Sequence, residues 1–224
     1  MIRFWIAQSP SEAVLVGLAL PENSHDIKGI ITPADIDLLS RLGLWSELRV
    51  AAVRGRRKEE FNRSRRVFRT IWRDFEAEVG RRPTDWSLSH SGNAVAVALR
   101  SSSVSRGLGV DLEARHRDIS KRAIARFVRS AERRLGLTPI EVWSAKEAVF
   151  KAAFGGAEAA RRRTVSEVSI QTWDPVRRQG HARLGSKRFR FALYEINTGF
   201  AEPSVFVMAL AVSATKRDKL IAWV

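Results

Sequence analysis

The chain has 224 residues, no cysteine, four histidines and a formal net charge of +15, with 45% hydrophobic and 28% charged residues. This is the profile of a soluble globular protein large enough to bury a proper core, as one larger domain or two small ones. Disulfides and thiolate metal sites are excluded, and His25, His90, His116 and His181 show no H-E-x-x-H spacing, which speaks against a zinc hydrolase. The positive surface attracts polyanions: nucleic acid, anionic membrane, an acidic protein or a phosphorylated cofactor. Arginine exceeds lysine, which suits bidentate phosphate contacts and equally fits a high-GC coding bias.

Between Met1 and Pro21 the apolar stretches are interrupted by Gln8, Ser9, Pro10, Ser11 and Glu12, and no basic segment precedes a continuous apolar core. Neither a signal peptide nor the ~20 apolar residues of a membrane helix is expected, and a cytoplasmic protein is. Ile2–Ala7 and Ala13–Leu20 read as two short buried strands around a Ser/Pro turn. Thr32-Pro33-Ala34-Asp35 has the form of a helix start, with Ile36, Leu39 and Leu42 at helical spacing behind it. From Arg54 to Val79, Phe61, Phe68, Ile71, Trp72, Phe75 and Val79 outline an amphipathic helix with a cationic outer face. Arg63, Arg65, Arg66, Arg69 and Arg73 cannot share one face, so one or two at most point at a common anion.

Gly80-Arg81-Arg82-Pro83 ends that helix. Ser89-His90-Ser91-Gly92 reads as a polar turn whose hydroxyls and free N–H groups can converge on an anion, followed by an apolar strand, Ala94–Leu99. Ser101–Arg106 is a connector at the midpoint of the chain. Gly107–Glu113 is the next strand, and Asp118–Gly136 one helix with Ile124, Phe127, Val128, Ala131 and Leu135 buried. Thr138-Pro139-Ile140-Glu141 is a capping box with proline at the first helical position, opening a helix that reaches about Phe154. After a basic loop, Val165–Thr172, Arg188–Ile196 and Ser204–Ser213 read as strands of one antiparallel sheet. The expected architecture is a compact α+β unit of two similar lobes, residues 1–105 and 106–224, each an antiparallel sheet packed with helices.

Two segments carry the chemistry. Asp111 and Glu113 stand at i and i+2 of a strand and project from one face, while Glu147 and Lys151 stand one helical turn apart. Three carboxylates suit Mg²⁺, which takes oxygen ligands and keeps several waters. Glu147 can close that site or act as base toward an attacking hydroxyl, and Lys151 can neutralise charge on a phosphate. Each pair alone is commonplace: a D-x-E strand face is usually solvated, and an exposed Glu–Lys pair contributes only ~0.3–0.5 kcal/mol. Their conjunction is informative.

Gly109-Val110-Asp111-Leu112-Glu113 with Trp143-Ser144-Ala145-Lys146-Glu147-Ala148-Val149-Phe150-Lys151 resembles the 4′-phosphopantetheinyl transferases. Within them it is most similar to the larger, monomeric, surfactin-synthetase-activating type. That signature is a G-[VI]-D-x-E strand and, some thirty to forty residues on, W-[SA]-x-K-E-[AS]-x-x-K. Trp86-Ser87-Leu88-Ser89-His90-Ser91-Gly92 resembles the family's F-N-[IL]-S-H-S-G, with Ser87 in place of asparagine. Gly80-Arg81-Arg82-Pro83 is similar to its G-[KR]-P, and Arg126-Phe127 with Glu132 to its R-F-F-x-x-x-E.

The resemblance implies transfer of the 4′-phosphopantetheine arm of coenzyme A to a serine of an apo acyl or peptidyl carrier protein, releasing adenosine 3′,5′-bisphosphate. It implies Mg²⁺, with Mn²⁺ an alternative, on Asp111, Glu113 and Glu147. Catalysis would fall to Glu147, Lys151 and Asp111. Lys146, Lys151, Ser89, His90, Arg82 and one of Arg65 or Arg69 would serve coenzyme A. The partner would be an acidic carrier protein steered by the basic surface, with no nucleic acid or membrane and the chain a monomer. Two rivals stand beside this reading. One is a non-specific nucleic-acid binder, for which helix-turn-helix, RNP and zinc signatures are all missing. The other is a binding protein of the same family without catalysis.

Overall fold

The computed structural model describes residues 2–8, 12–20, 39, 42, 55–102, 107–155, 163–197 and 205–214. Within them the chain is α+β, with two antiparallel sheets packed with helices. β1 (Ile2–Gln8), β2 (Glu12–Ala19), β3 (Asp85–Ser91) and β4 (Ala94–Ser102) form one sheet in the order β1-β2-β4-β3. Before β3 comes the helix α1 (Arg56–Val79). The second half runs β5 (Leu108–Ala114), α2 (Lys121–Phe127), α3 (Ser130–Arg133) and α4 (Pro139–Phe154). It then continues as β6 (Ser169–Asp174), β7 (Gln179–Leu184), β8 (Lys187–Asn197) and β9 (Val205–Ala214). Its sheet has the order β5-β9-β8-β7-β6.

The apolar pattern dictates four layers. Val67, Phe68, Ile71, Trp72 and Phe75 of α1 are buried against Leu15, Val95, Val97 and Leu99 on the outer face of the first sheet. Each such side chain contributes about 1.5–3 kcal/mol by leaving water. The inner face, Val14, Val16, Leu18, Ala94, Ala96 and Ala98, meets Leu108, Val110, Leu112, Met208 and Leu210 of the second sheet. The second sheet's other face carries Ala209, Ala211, Phe189 and Phe191, and is covered by Val142, Ala145, Ala148 and Val149 of α4. Alternation along β5 therefore sends Val110 and Leu112 between the sheets, and Gly109, Asp111 and Glu113 toward α4.

Gly109 sets how closely α4 approaches. A Cβ there would stand 1.8 Å from the Ala148 carbonyl oxygen and 2.6 Å from the Ala152 nitrogen, so only glycine lets helix and strand meet at this depth. The start of α4 is fixed as the sequence indicates. The Thr138 side chain accepts from the Glu141 N–H, Glu141 reaches back to the Thr138 N–H at 2.9 Å, and Pro139 is first in the helix. Arg178 adds an ion pair to Glu141 at 2.8 Å.

Four expectations need correction or lie outside the described residues. Ser89-His90-Ser91 is strand, not turn; the turn begins at Gly92, whose φ is 55°. The Asp118–Gly136 helix is broken at Val128, which is extended (φ −98°, ψ 112°), and Ala131 is exposed while Glu132 is buried. The cause is Glu132, whose carboxylate is drawn inside and accepts from the N–H groups of Arg129 and Ile170. β7 is a strand the sequence expectations do not include, because its basic, glycine-bearing sequence hides an alternation of exposed and buried residues. The helix expected around Thr32 lies outside the described residues except for Leu39, helical and buried, and Leu42.

Candidate active site

The two sheets meet where β3 and β5 lie side by side, each the edge strand of its own sheet. The outward N–H groups of β5 have no strand to pair with, and three serines of β3 take that place. Val110 N donates to Ser87 Oγ (2.9 Å), Leu112 N to Ser89 Oγ (3.2 Å) and Ala114 N to Ser91 Oγ (3.2 Å). Each N–H is thereby satisfied by a hydroxyl, which removes the penalty of an unpaired buried donor. The serine period of two along β3 is the sequence trace of this join.

Ser89 does more than close the edge. Its hydroxyl donates to Asp111 Oδ1 at 3.0 Å and accepts from Lys151 Nζ at 3.1 Å. Lys151 Nζ also donates to Asp111 Oδ1 at 2.8 Å and to the Val110 carbonyl at 3.2 Å. One ammonium, reaching over from α4, is thus held by the first sheet and the second together. The other Asp111 oxygen, Oδ2, is buried and has no hydrogen-bond partner.

Glu113, next along the same face, accepts from Trp143 Nε1 at 3.0 Å and from Arg117 Nη1 at 2.5 Å. Burial pushes its carboxyl above the usual carboxylate range and Asp111 adds to this, while Arg117 and Trp143 pull the other way. Glu147 is half-buried one turn before Lys151. Burial raises its pKa; Lys151 opposes the rise, and Asp111 and Glu113 reinforce it. The three carboxylates therefore feel one another, and a cation among them would relieve the strain.

Asp111, Glu113 and Glu147 supply the hard oxygens a divalent cation takes, and the open Asp111 Oδ2 fits a metal–oxygen bond. Among the described residues no three His, Cys, Asp or Glu side chains are gathered as a ready-made cage. Asp111 leans on Lys151 instead, and Glu113 on Arg117.

His90 alternates with Ser89 and Ser91, so it faces the opposite way and is exposed. Partial desolvation holds its pKa below the usual value; Glu60 and Asp111 oppose the shift, while Arg65 and Lys151 favour it. Arg65 thus lies close enough to act on His90, with its guanidinium 3.8 Å above the Phe61 ring. Arg69 is half-buried one turn further along α1. Arg82 stands beyond the far end of that helix, exposed and paired with Glu76 at 3.3 Å. The helix from Arg65 to Val79 alone is about 21 Å long at 1.5 Å per residue, so Arg65 and Arg82 do not converge on one phosphate.

Lys146 leaves the group altogether. It is 0% exposed, ion-paired to Glu132 at 2.8 Å and hydrogen-bonded to the Phe127 carbonyl at 2.6 Å. Burial lowers its pKa and Glu132 opposes that. This pair ties α4 to the α2–α3 break. Arg117 and the bond from Trp143 to Glu113 escaped the sequence reading. Trp143 lies one helical turn before Glu147, a spacing that signals a shared face. Arg117 lies outside any helix, and nothing in the sequence marks it.

A family model described as the 4′-phosphopantetheinyl transferase superfamily matches residues 107–209, a stretch that contains Asp111, Glu113, Glu147 and Lys151. No curated protein matches the chain. Among the described residues no helix is long and apolar enough to cross a membrane.

Proposed function

We propose that the chain is a 4′-phosphopantetheinyl transferase of the surfactin-synthetase-activating type, acting as a cytoplasmic monomer on coenzyme A and an acidic apo carrier protein. The observation that carries this reading is the junction of Lys151, Asp111 and Ser89 between the two sheets, with Glu147 beside it. The family match over residues 107–209 supports it.

In the proposed reaction a carrier serine Oγ attacks the β-phosphorus of coenzyme A, and the bond from that phosphorus to the bridging oxygen breaks. The phosphopantetheine leaves on the serine, adenosine 3′,5′-bisphosphate is the leaving group, and the serine proton passes to Glu147. Glu147 suits the proton because burial and its acidic neighbours raise its pKa, making it a stronger base than a solvated glutamate. It makes no hydrogen bond or ion pair with a described residue, so its carboxylate is free to take the hydroxyl. Lys151 is preset by Asp111, Ser89 and the Val110 carbonyl and offers a fixed positive charge to the phosphate. Asp111, Glu113 and Glu147 would hold a divalent cation, which supplies charge neutralisation for the pyrophosphate when bound. His90 and Arg65 would face the nucleotide end. The net charge of +15 would speed encounter with both anionic partners.

The test is the intact mass of several apo carrier proteins, fatty-acid, polyketide and nonribosomal, after incubation with coenzyme A and Mg²⁺. At least one should gain a phosphopantetheine group, and none should without Mg²⁺. No gain on any carrier would overturn the reading.

A further inference from the structure

At the far edge of the second sheet, Thr172 of β6, His181 of β7 and Arg190 of β8 stand in one row, each opposite the next. The row continues through Val212 to Leu108, so it lies on the face opposite Asp111 and two strands away from β5. Here the structure has a cavity of about 220 Å³, lined by Thr172, Asp174, Arg177, Gln179, His181 and Arg190 together with Trp173, Gly180 and Phe191. Seven or so waters would fill that volume at about 30 Å³ each. It is therefore roomier than a single ion needs and somewhat below the size of a drug-like ligand site.

Arg190 is the anomaly in this cavity. It is 8% exposed, and its Nε and Nη1 are buried without a hydrogen-bond partner. A buried lysine or carboxylate in that position could give up its charge; a guanidinium cannot. The charge therefore stays, and the structure provides no carboxylate for it among the described residues. The acidic lining residue, Asp174, is spent on its own turn: Oδ1 accepts from the N–H groups of Val176 and Arg177, and Oδ2 faces Arg177 Nε at 3.9 Å. His181 shares its Nδ1 with the Thr172 hydroxyl at 3.0 Å. Burial, and then Arg190, hold its imidazole below the usual pKa. The lining thus presents two guanidiniums, a hydroxyl, an amide and an imidazole beside one carboxylate that is already engaged.

We propose that this cavity is a second ligand site, separate from the Asp111–Lys151 site, which binds a small molecule through one oxyanion, carboxylate or phosphate, held by the Arg190 guanidinium. A guanidinium makes strong charge-assisted hydrogen bonds to the oxygens of such a group. Arg177 adds charge at the rim, while Gln179 and Thr172 can read polar groups on the rest of the molecule. The proposal stands on this geometry alone and is independent of the transferase reading.

The experiment follows the His181 imidazole by NMR in ¹³C-histidine-labelled protein, the signal being identified by its loss in His181→Gln. Inorganic phosphate and acetate are titrated separately at matched ionic strength, with chloride as the control. The His181 signal should shift saturably with phosphate or with acetate and stay still with chloride; the tighter of the two names the class of oxyanion. Arg190→Met should weaken that midpoint roughly 10–100-fold, the loss expected when a charge-assisted hydrogen bond is removed. Arg190→Lys keeps the charge without the planar guanidinium and should fall between the two, which preserves the test if the methionine variant does not fold. No saturable shift with either anion, or an unchanged midpoint in the Arg190 variants, would overturn the proposal.

Discussion

Replacing Lys146 with methionine separates an architectural role from a cofactor-binding one. The substitution removes one charge from a pair that solvent does not reach, the side chains of Lys146 and Glu132 being 0% and 1% exposed. Glu132 would keep its bonds from Arg129 N (2.8 Å) and Ile170 N (2.9 Å) but lose its counter-charge, and the Phe127 carbonyl would lose its donor. Breaking a buried pair from one side costs about 3–5 kcal/mol. A chain of this length loses about 2–4 °C of Tm per kcal/mol, so the expected fall is roughly 6–20 °C. Glu132→Gln in the same chain should recover part of the loss, with a coupling of about 1–3 kcal/mol in the double-mutant cycle. The assay is thermal and urea unfolding by circular dichroism, beside the KM for coenzyme A of the folded variant at low temperature. An unchanged Tm with a raised KM would refute the reasoning and return Lys146 to the cofactor.

Three further outcomes follow from the same geometry. Ser89→Ala should leave the Leu112 N–H without an acceptor and Lys151 with one contact fewer, lowering stability by about 1–3 kcal/mol in urea unfolding; transfer should fall as well, whereas Ser91→Ala should affect stability alone. Gly109→Ala puts a Cβ 1.8 Å from the Ala148 carbonyl oxygen. Overpacking against backbone costs at least about 1–3 kcal/mol, so a lowered Tm with loss of activity is expected, and wild-type behaviour would mean α4 sits further from β5. For Glu141, burial favours the neutral acid, but hydrogen bonds from Thr138 and the Arg178 ion pair outweigh it, so its folded-state pKa lies below the unfolded value of 4.5. A depressed carboxyl stabilises the fold above the unfolded pKa and loses that contribution as pH falls through the folded one. The stability gap between wild type and Glu141→Gln should therefore be full at neutral pH and shrink as pH drops below 4.5.

The carboxylates and Lys151 were legible in sequence because strand and helix periodicities fix which residues share a face, and Gly109, Thr138 and Pro139 pin those two elements. The role of Ser89 was less so. A polar S-H-S-G run looks like a turn until a second edge strand is present to use its hydroxyls, and that partner, β5, lies more than twenty residues on, as the Leu112–Ser89 bond shows. Lys146 misled for a related reason. It adjoins Glu147 in sequence, but neighbours on a helix point about 100° apart, which sends Glu147 toward Asp111 and Glu113 and Lys146 into the core. Glu132 and Lys146 each violate the apolar pattern of a buried position, and only their pairing explains both. β7 stayed hidden because Gly180, His181 and Arg183 mask a half-buried strand behind turn-forming and charged residues.

In the proposed reaction Glu147 takes the proton while Lys151 and its partners hold the phosphate. The most direct test measures holo-carrier and adenosine 3′,5′-bisphosphate together, by intact mass and chromatography, for wild type and Glu147→Gln at saturating Mg²⁺. Equal amounts of the two products are expected from the wild type, and a variant that is folded and slower by roughly 10²–10⁴, the usual contribution of a positioned general base. Wild-type rates in Glu147→Gln, or nucleotide release without a modified carrier, would contradict it.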